Sequence, residues 1–171
     1  MRKWHFALAV LLLFSVFAAA CSSGSSGGDK KVLRAGSTGQ SFPNSYKDGD
    51  KLVGFDVEVL ETVAANLGYT VEWVNSDFSG LMGQLETGKI DTVANVVAVT
   101  EERKEKFDFT VPYSYAAVTI VTHVDNTDIN TLDDLKGKTV AGVLGSQNVK
   151  NLEKYGPEVN IRTYENRDGA Q

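Results

Sequence analysis

Apolar positions along this chain switch repeatedly between short β-rich runs and helical spacing. Val32 to Gly36 is the first such run, and a polar turn at Lys47 to Lys51, KDGDK, leads into a second at Leu52 to Phe55. Val57, Leu60, Val63, Ala64 and Leu67 then recur at helical spacing, which predicts one buried helix face, with Gly68 just past its end. Thr70 to Val74 predicts a strand, and Leu81, Met82 and Leu85 predict a further helix that Gly88 closes. Ile90, Val93, Ala94, Val96 and Val97 read as a strand covered on both faces. This alternation is the signature of βαβ units and a mainly parallel sheet, an α/β fold.

The pattern changes after Pro112. Ala116 to Val124 is a long β-rich run, followed by polar Asp125 to Asp128 and by Thr131 to Asp134 at capping-box spacing. A second βα series follows, with Thr139 to Leu144 and Val159 to Tyr164 as strands and Val149 and Leu152 on a helix between them. The polar turn Glu165 to Gly169 comes next with no covering helix, so this second unit reads as unfinished. No internal repeat is evident.

The first twenty residues stand apart from this pattern. Arg2 and Lys3 precede an uncharged run from Phe6 to Ala20, the layout of a secretory signal. The run is shorter than the ~20 residues a membrane span needs. Ala18, Ala19 and Ala20 lead to Cys21, the one cysteine of the chain, so no disulfide can form within it. The junction resembles the lipobox of bacterial lipoproteins, with Ala18 where leucine is usual. That resemblance implies acylation of Cys21 on sulfur, by palmitate or a similar chain; the alternative is an ordinary cleaved signal with an incidental cysteine. Ser22 to Gly28, SSGSSGG, has the composition of a flexible tether.

Charge and composition narrow the partners. Taking Arg2 and Lys3 off the 17 basic residues leaves 15 against 22 acidic ones, a net charge of −7, which argues against nucleic acid. His123 is the one histidine beyond the signal, and no Cys, His and carboxylate cluster has metal-ligand spacing, so neither metal nor cofactor is expected.

Candidate chemistry lies in the loops after strands, where open α/β sheets bind ligands. Four stand out: Ser37 to Phe42, Asn75 to Phe78, Ala98 to Arg103, and Gly145 to Asn148. Thr100 can cap a helix begun by Glu101 and Glu102, and a guanidinium at Arg103 beside that helix end could hold a small carboxylate. From the residues alone Arg103 reads more readily as a solvated helix charge and Gly145-Ser146 as a plain turn, with Ser146 a plausible helix cap; the alternative for Phe78 is a core ring.

Three motifs carry a wider resemblance. Gly54-Phe55-Asp56-Val57-Glu58-Val59 with Val63, Ala64 and Leu67, then Thr100-Glu101-Glu102-Arg103 with Asp108-Phe109-Thr110-Val111-Pro112-Tyr113, then Asp134-Leu135-Lys136-Gly137-Lys138-Thr139-Val140, together resemble the family 3 extracellular solute-binding proteins. The likeness covers Val32 to Gln171.

The resemblance implies a two-lobed, periplasmic-binding-protein-like type II fold, incomplete here in its second lobe. In these terms 1–20 is the signal, 21–30 the lipidated cysteine and linker, 31–117 the first lobe, 118–124 the hinge strand and 125–171 the incomplete second lobe. It further implies a lipid-anchored, extracytoplasmic, monomeric receptor that delivers a polar or sulfur-containing free amino acid to the permease and ATPase subunits of an ABC importer. The cystine branch is the nearest, although Val96 stands where glutamine is common there. Arg103 matches the arginine that holds the ligand carboxylate, with Gly145, Ser146 and Gln147 on the opposing loop. Phe78 matches an apolar wall for the ligand side chain, and Asn95, Val96 and Ala98 match the strand end that meets the ligand amino group. Ser41 stands where an aromatic ring is frequent, with Phe42 beside it. The family's acidic partner for the ligand ammonium is expected beyond Gln171. The alternatives are an enzyme of the same fold, like cyclohexadienyl dehydratase, or the sensing domain of a membrane receptor; no general acid/base pair is legible.

Overall fold

The computed structural model describes residues 31–156 and 158–170. The signal, Cys21 and the Gly/Ser tether lie outside the described residues. Among those described, no helix is long and apolar enough to cross a membrane.

The chain runs β1 (Lys31–Ser37), β2 (Gln40–Ser41), β3 (Ser45–Asp48), β4 (Lys51–Val53), α1 (Phe55–Asn66), β5 (Tyr69–Asn75), α2 (Phe78–Glu86), β6 (Thr92–Val93) and α3 (Glu101–Lys104). After a long segment without regular structure come a 3-10 turn (Asp133–Leu135), β7 (Thr139–Val143), α4 (Gln147–Tyr155), β8 (Asn160–Tyr164) and a last 3-10 turn (Asp168–Ala170).

β1 is the middle strand of a parallel sheet ordered β5-β1-β6. Its register sets Ala35 beside Trp73 and Gly36 beside Val74, and alternation sends these two rows to opposite faces. On the Trp73 face α1 packs, its Glu61 accepting the indole N–H at 3.0 Å. On the other face a Cβ at Gly36 would come within 2.7 Å of the Ile90 Cδ1 and 2.8 Å of the Leu81 Cδ2, so glycine there lets α2 and the Ile90 segment press onto the backbone. Ala35, Val57, Ala64, Leu81, Ile90 and Ala94 form the core around this sheet.

β2, β3 and β4 make a small antiparallel sheet that closes with a turn at Gly49, φ +60°. In the second series β7 and β8 pair in parallel across α4, with Leu135, Val149 and Val159 buried between them.

Several sequence expectations shift. Leu52 to Phe55 divides: strand pairing ends at Val53, and Phe55 opens α1. The helical face narrows to Val57 and Ala64, with Val63 and Leu67 solvent-exposed, because the three-stranded sheet is too narrow for a 12-residue helix to bury a full stripe. The strand expected over Ile90 to Val97 has ladder partners at Thr92 and Val93, extended by the Asp91 and Ala94 N–H groups donating to Arg34 and Gly36, and it breaks at Val96, whose φ is +54°. The β-rich run Ala116 to Val124 forms no ladder and is exposed throughout, since a strand needs a neighbour's N–H and C=O groups and none of the described residues supplies them.

Candidate functional site

Arg103 sits in a single helical turn. Thr100 caps it as expected, its Oγ1 accepting the Arg103 N–H at 3.2 Å. Four residues make too short a helix for a substantial dipole, so the positive charge here belongs to the guanidinium and not to the helix end. Its neighbours Glu101, Glu102 and Lys104 are exposed, while Arg103 itself is only 8% exposed.

Burial of that cation is supported in three ways. One terminal NH group donates to the Ala98 carbonyl at 2.9 Å, the other to the Gly145 carbonyl at 3.4 Å, and the guanidinium carbon lies 5.4 Å from the centre of the Phe78 ring. Desolvation lowers the Arg103 pKa, opposed by the charge of Glu102. A guanidinium has five N–H donors, and two are committed to described partners. Among the described residues no carboxylate forms an ion pair with Arg103, and it is the one buried cation.

The second series approaches this point from the other side. Gly145, φ +76°, turns the chain so that its Cβ position lies 3.9 Å from Phe78 and from Ser79. Ser146 then caps α4, accepting the Val149 N–H at 3.3 Å. Gln147 points along its own helix and donates to Asn151 at 2.8 Å. Beyond the cluster, Lys150 of α4 pairs with Glu102 and holds the Glu102 carboxyl below its ordinary range. Gln40 accepts the Arg167 N–H at 3.1 Å and donates to Asp168 at 3.3 Å, a further tie between the two series.

The Asn95 side-chain oxygen is engaged within the fold. It is buried, and its Oδ1 receives the Ser37 hydroxyl, the Thr38 N–H, the Thr38 hydroxyl and the Ser45 hydroxyl at 3.3, 2.9, 2.9 and 3.1 Å. The side chain therefore ties β1, its following loop and β3 together. Val96 is partly exposed, and Ala98 offers its carbonyl to Arg103. Ser41 is buried in the β2–β3 pair, and Phe42 is 71% exposed with its ring edge-on to Tyr46 at 4.9 Å. Arg103, Phe78, Ala98 and Gly145 thus converge, whereas Ser41 and Phe42 form no hydrogen bond or ring contact with that group among the described residues.

Sequence reasoning missed Asp56 as a working residue. It is 1% exposed, its Oδ2 accepts the Val96 N–H at 2.7 Å, and its Oδ1 has no partner among the described residues. Tyr113 lies close enough for its hydroxyl to feel that charge without hydrogen-bond geometry; burial first, and Asp56 second, push its pKa up to about 12. The available signal was a carboxylate set between Phe55 and Val57 at the start of an apolar helix face. No group of three or more metal-binding side chains occurs among the described residues.

Known proteins resemble this chain in sequence and in fold. Probable amino-acid-binding protein YxeM of Bacillus subtilis is 52% identical over 172 residues, covering 99% of this chain and 65% of YxeM. The L-cystine-binding protein TcyA of the same species is 39% identical over 132 residues, covering 76% of this chain and 49% of TcyA. Among solved structures, an ancestral arginine-binding protein bound to glutamine superposes with a TM-score of 0.78 at 38% identity, covering 81% of this chain and 62% of that one. The chain therefore spans between half and two thirds of the length of these relatives. The α/β fold is that of the type II periplasmic amino-acid-binding proteins. Residues 33–165 match the bacterial extracellular solute-binding proteins, family 3, and the chain belongs to that family.

Proposed function

We propose that this chain is the extracytoplasmic substrate-binding part of an ABC importer for a polar or sulfur-containing amino acid. The observation that carries this reading is the buried Arg103, without a carboxylate partner among the described residues, between the Ala98 and Gly145 carbonyls and the Phe78 ring. A guanidinium with free donors in a partly desolvated site binds a carboxylate in a planar, two-point geometry. The Phe78 ring then forms an apolar wall, and backbone groups from Val96 to Ala98 meet the ammonium end. Ser146 and Gly145 close on the carboxylate from the second lobe.

Residues 31–117 form the first lobe, 118–124 the hinge and 125–171 part of the second. Closure couples binding to recognition by permease and ATPase subunits, because a ligand that touches both lobes favours the closed state by its difference in affinity for the two states. Acylated Cys21 anchors the receptor at the outer face of the membrane, and the protein carries no catalytic role. YxeM, TcyA and the ancestral arginine-binding protein support an amino-acid ligand.

The test is calorimetry of the full chain against the twenty L-amino acids and L-cystine. Binding of at least one, weakened about 100-fold or more in Arg103→Ala, is the expected result, since two charge-assisted bonds contribute roughly 3 kcal/mol or more together. Unchanged affinity in the variant removes Arg103 from the role. For the anchor, incorporation of labelled palmitate that Cys21→Ser abolishes is expected.

A further inference from the structure

We propose that Asp56 is a positioning residue of the ligand site, holding the Val96 backbone in its left-handed conformation and thereby aiming the strand end that braces Arg103. The inference rests on the receptor reading above.

Val96 is the one non-glycine residue with positive φ among those described, at +54°. For a β-branched side chain this is a costly conformation, so something must hold it. The Asp56 carboxylate does: its Oδ2 takes the Val96 N–H at 2.7 Å, a charge-assisted bond across 40 residues of sequence. Two residues further on, the Ala98 carbonyl accepts from Arg103 at 2.9 Å. A change of direction at Val96 therefore moves the oxygen that orients the guanidinium.

The location of Asp56 makes a purely local role insufficient. A carboxylate in the first turn of a helix needs no burial to favour the N–H groups there. Asp56 is instead fully buried with one oxygen lacking any described hydrogen-bond partner, an arrangement that costs free energy unless the bond it does make is needed. Glu58, also in the first turn of α1, is exposed and has no hydrogen bond to the Val96 segment among the described residues.

The experiment uses the full chain, with L-arginine, L-glutamine and L-cystine as probes in calorimetry. Asp56→Ala is expected to weaken binding of whichever probes bind by about tenfold or more, the size of the left-handed penalty on an L-residue. Asp56→Asn, which keeps a carbonyl acceptor, is expected to stay within about threefold. The discriminating variant is Asp56→Ala with Val96→Gly, because glycine adopts positive φ without help. It should regain most of the affinity while its melting temperature stays as low as that of Asp56→Ala. A double variant as weak as the single one overturns the proposal.

Should Asp56→Ala fail to fold, hydrogen exchange at the Val96 amide of the unaltered chain decides. Slow exchange at this partly exposed residue supports the bond, and exchange at the unprotected rate overturns it. If none of the three probes binds, the receptor reading is what loses ground, whereas the Val96 amide still reports on Asp56 by itself.

Discussion

The Arg103 guanidinium lies 5.4 Å from the centre of the Phe78 ring, so a side chain from the turn after β6 rests on the first residue of α2. Two helix starts 25 residues apart in sequence thus share one charged, apolar-walled cluster.

Replacing Arg103 by Lys keeps the charge and loses the planar fork. An ammonium cannot present two parallel donors to a carboxylate or stack its plane on Phe78. On the proposed receptor reading, affinity for the amino acid it binds should fall about 10- to 100-fold, the loss of one charge-assisted bond at roughly 1.5–3 kcal/mol. Calorimetry checks it, and an affinity equal to that of the unaltered chain would mean that charge alone holds the ligand.

Gly54 should tolerate substitution worst among the glycines at positive φ. At φ +120° a Cβ would come within 2.5 Å of the Asn44 carbonyl oxygen and 2.7 Å of the Pro43 oxygen, both backbone atoms. Gly49, at φ +60°, has nothing within 4 Å. Urea unfolding should place Gly54→Ala about 2–4 kcal/mol below the unaltered chain and Gly49→Ala about 1 kcal/mol below it. Equal costs would show that backbone strain, and not the clash with Pro43 and Asn44, dominates at Gly54.

Asp91 gives the acid limb of stability a defined source. Arg34 donates to its two oxygens from the side chain at 2.6 and 3.0 Å and from the backbone at 2.8 Å, and these bonds, the side-chain ones first, lower its pKa to about 2. The unfolded value is about 3.9, so the folded state gains a contribution that is fully present above that pH. It is lost as pH falls through about 2. Carbon-detected titration of the Asp91 carboxyl should find that low midpoint, and Arg34→Gln should return it toward 3.9; an ordinary midpoint in the unaltered chain would dissolve the pair in solution.

Tyr113, half-exposed, contributes to the opposite limb. Its folded pKa, about 12, exceeds the ordinary phenol value of about 10. The neutral phenol therefore contributes stability below pH about 10 that disappears as pH rises through about 12. Absorbance at the phenolate band should show a late-titrating tyrosine that Tyr113→Phe removes. Asp56→Asn should bring its midpoint partway down, because burial, the larger cause, remains. A midpoint that Asp56→Asn leaves in place would separate the two residues.

Much of this molecule was legible in local sequence. The helix stops at Gly68 and Gly88, the Thr100 cap and the Ser146 cap depend on bonds within a few residues, and each appears where the residue type predicted it. The family followed from three motifs read together. Exposure of Val63 and Leu67 was not legible, because helical spacing says which face is apolar and not how wide a sheet it meets.

What the sequence determined by itself was therefore the α/β class, the main helices with their caps, and the family, since periodicity, capping and motif spacing are properties of neighbours along the chain. Tertiary structure alone decided that the Asn95 Oδ1 is engaged by Ser37, Thr38 and Ser45, that Gly145 meets Arg103, and that Asp56 reaches Val96 across 40 residues. Those bonds depend on where the folded backbone brings distant groups, and a carboxylate's partner is fixed by proximity in space, which no local pattern records.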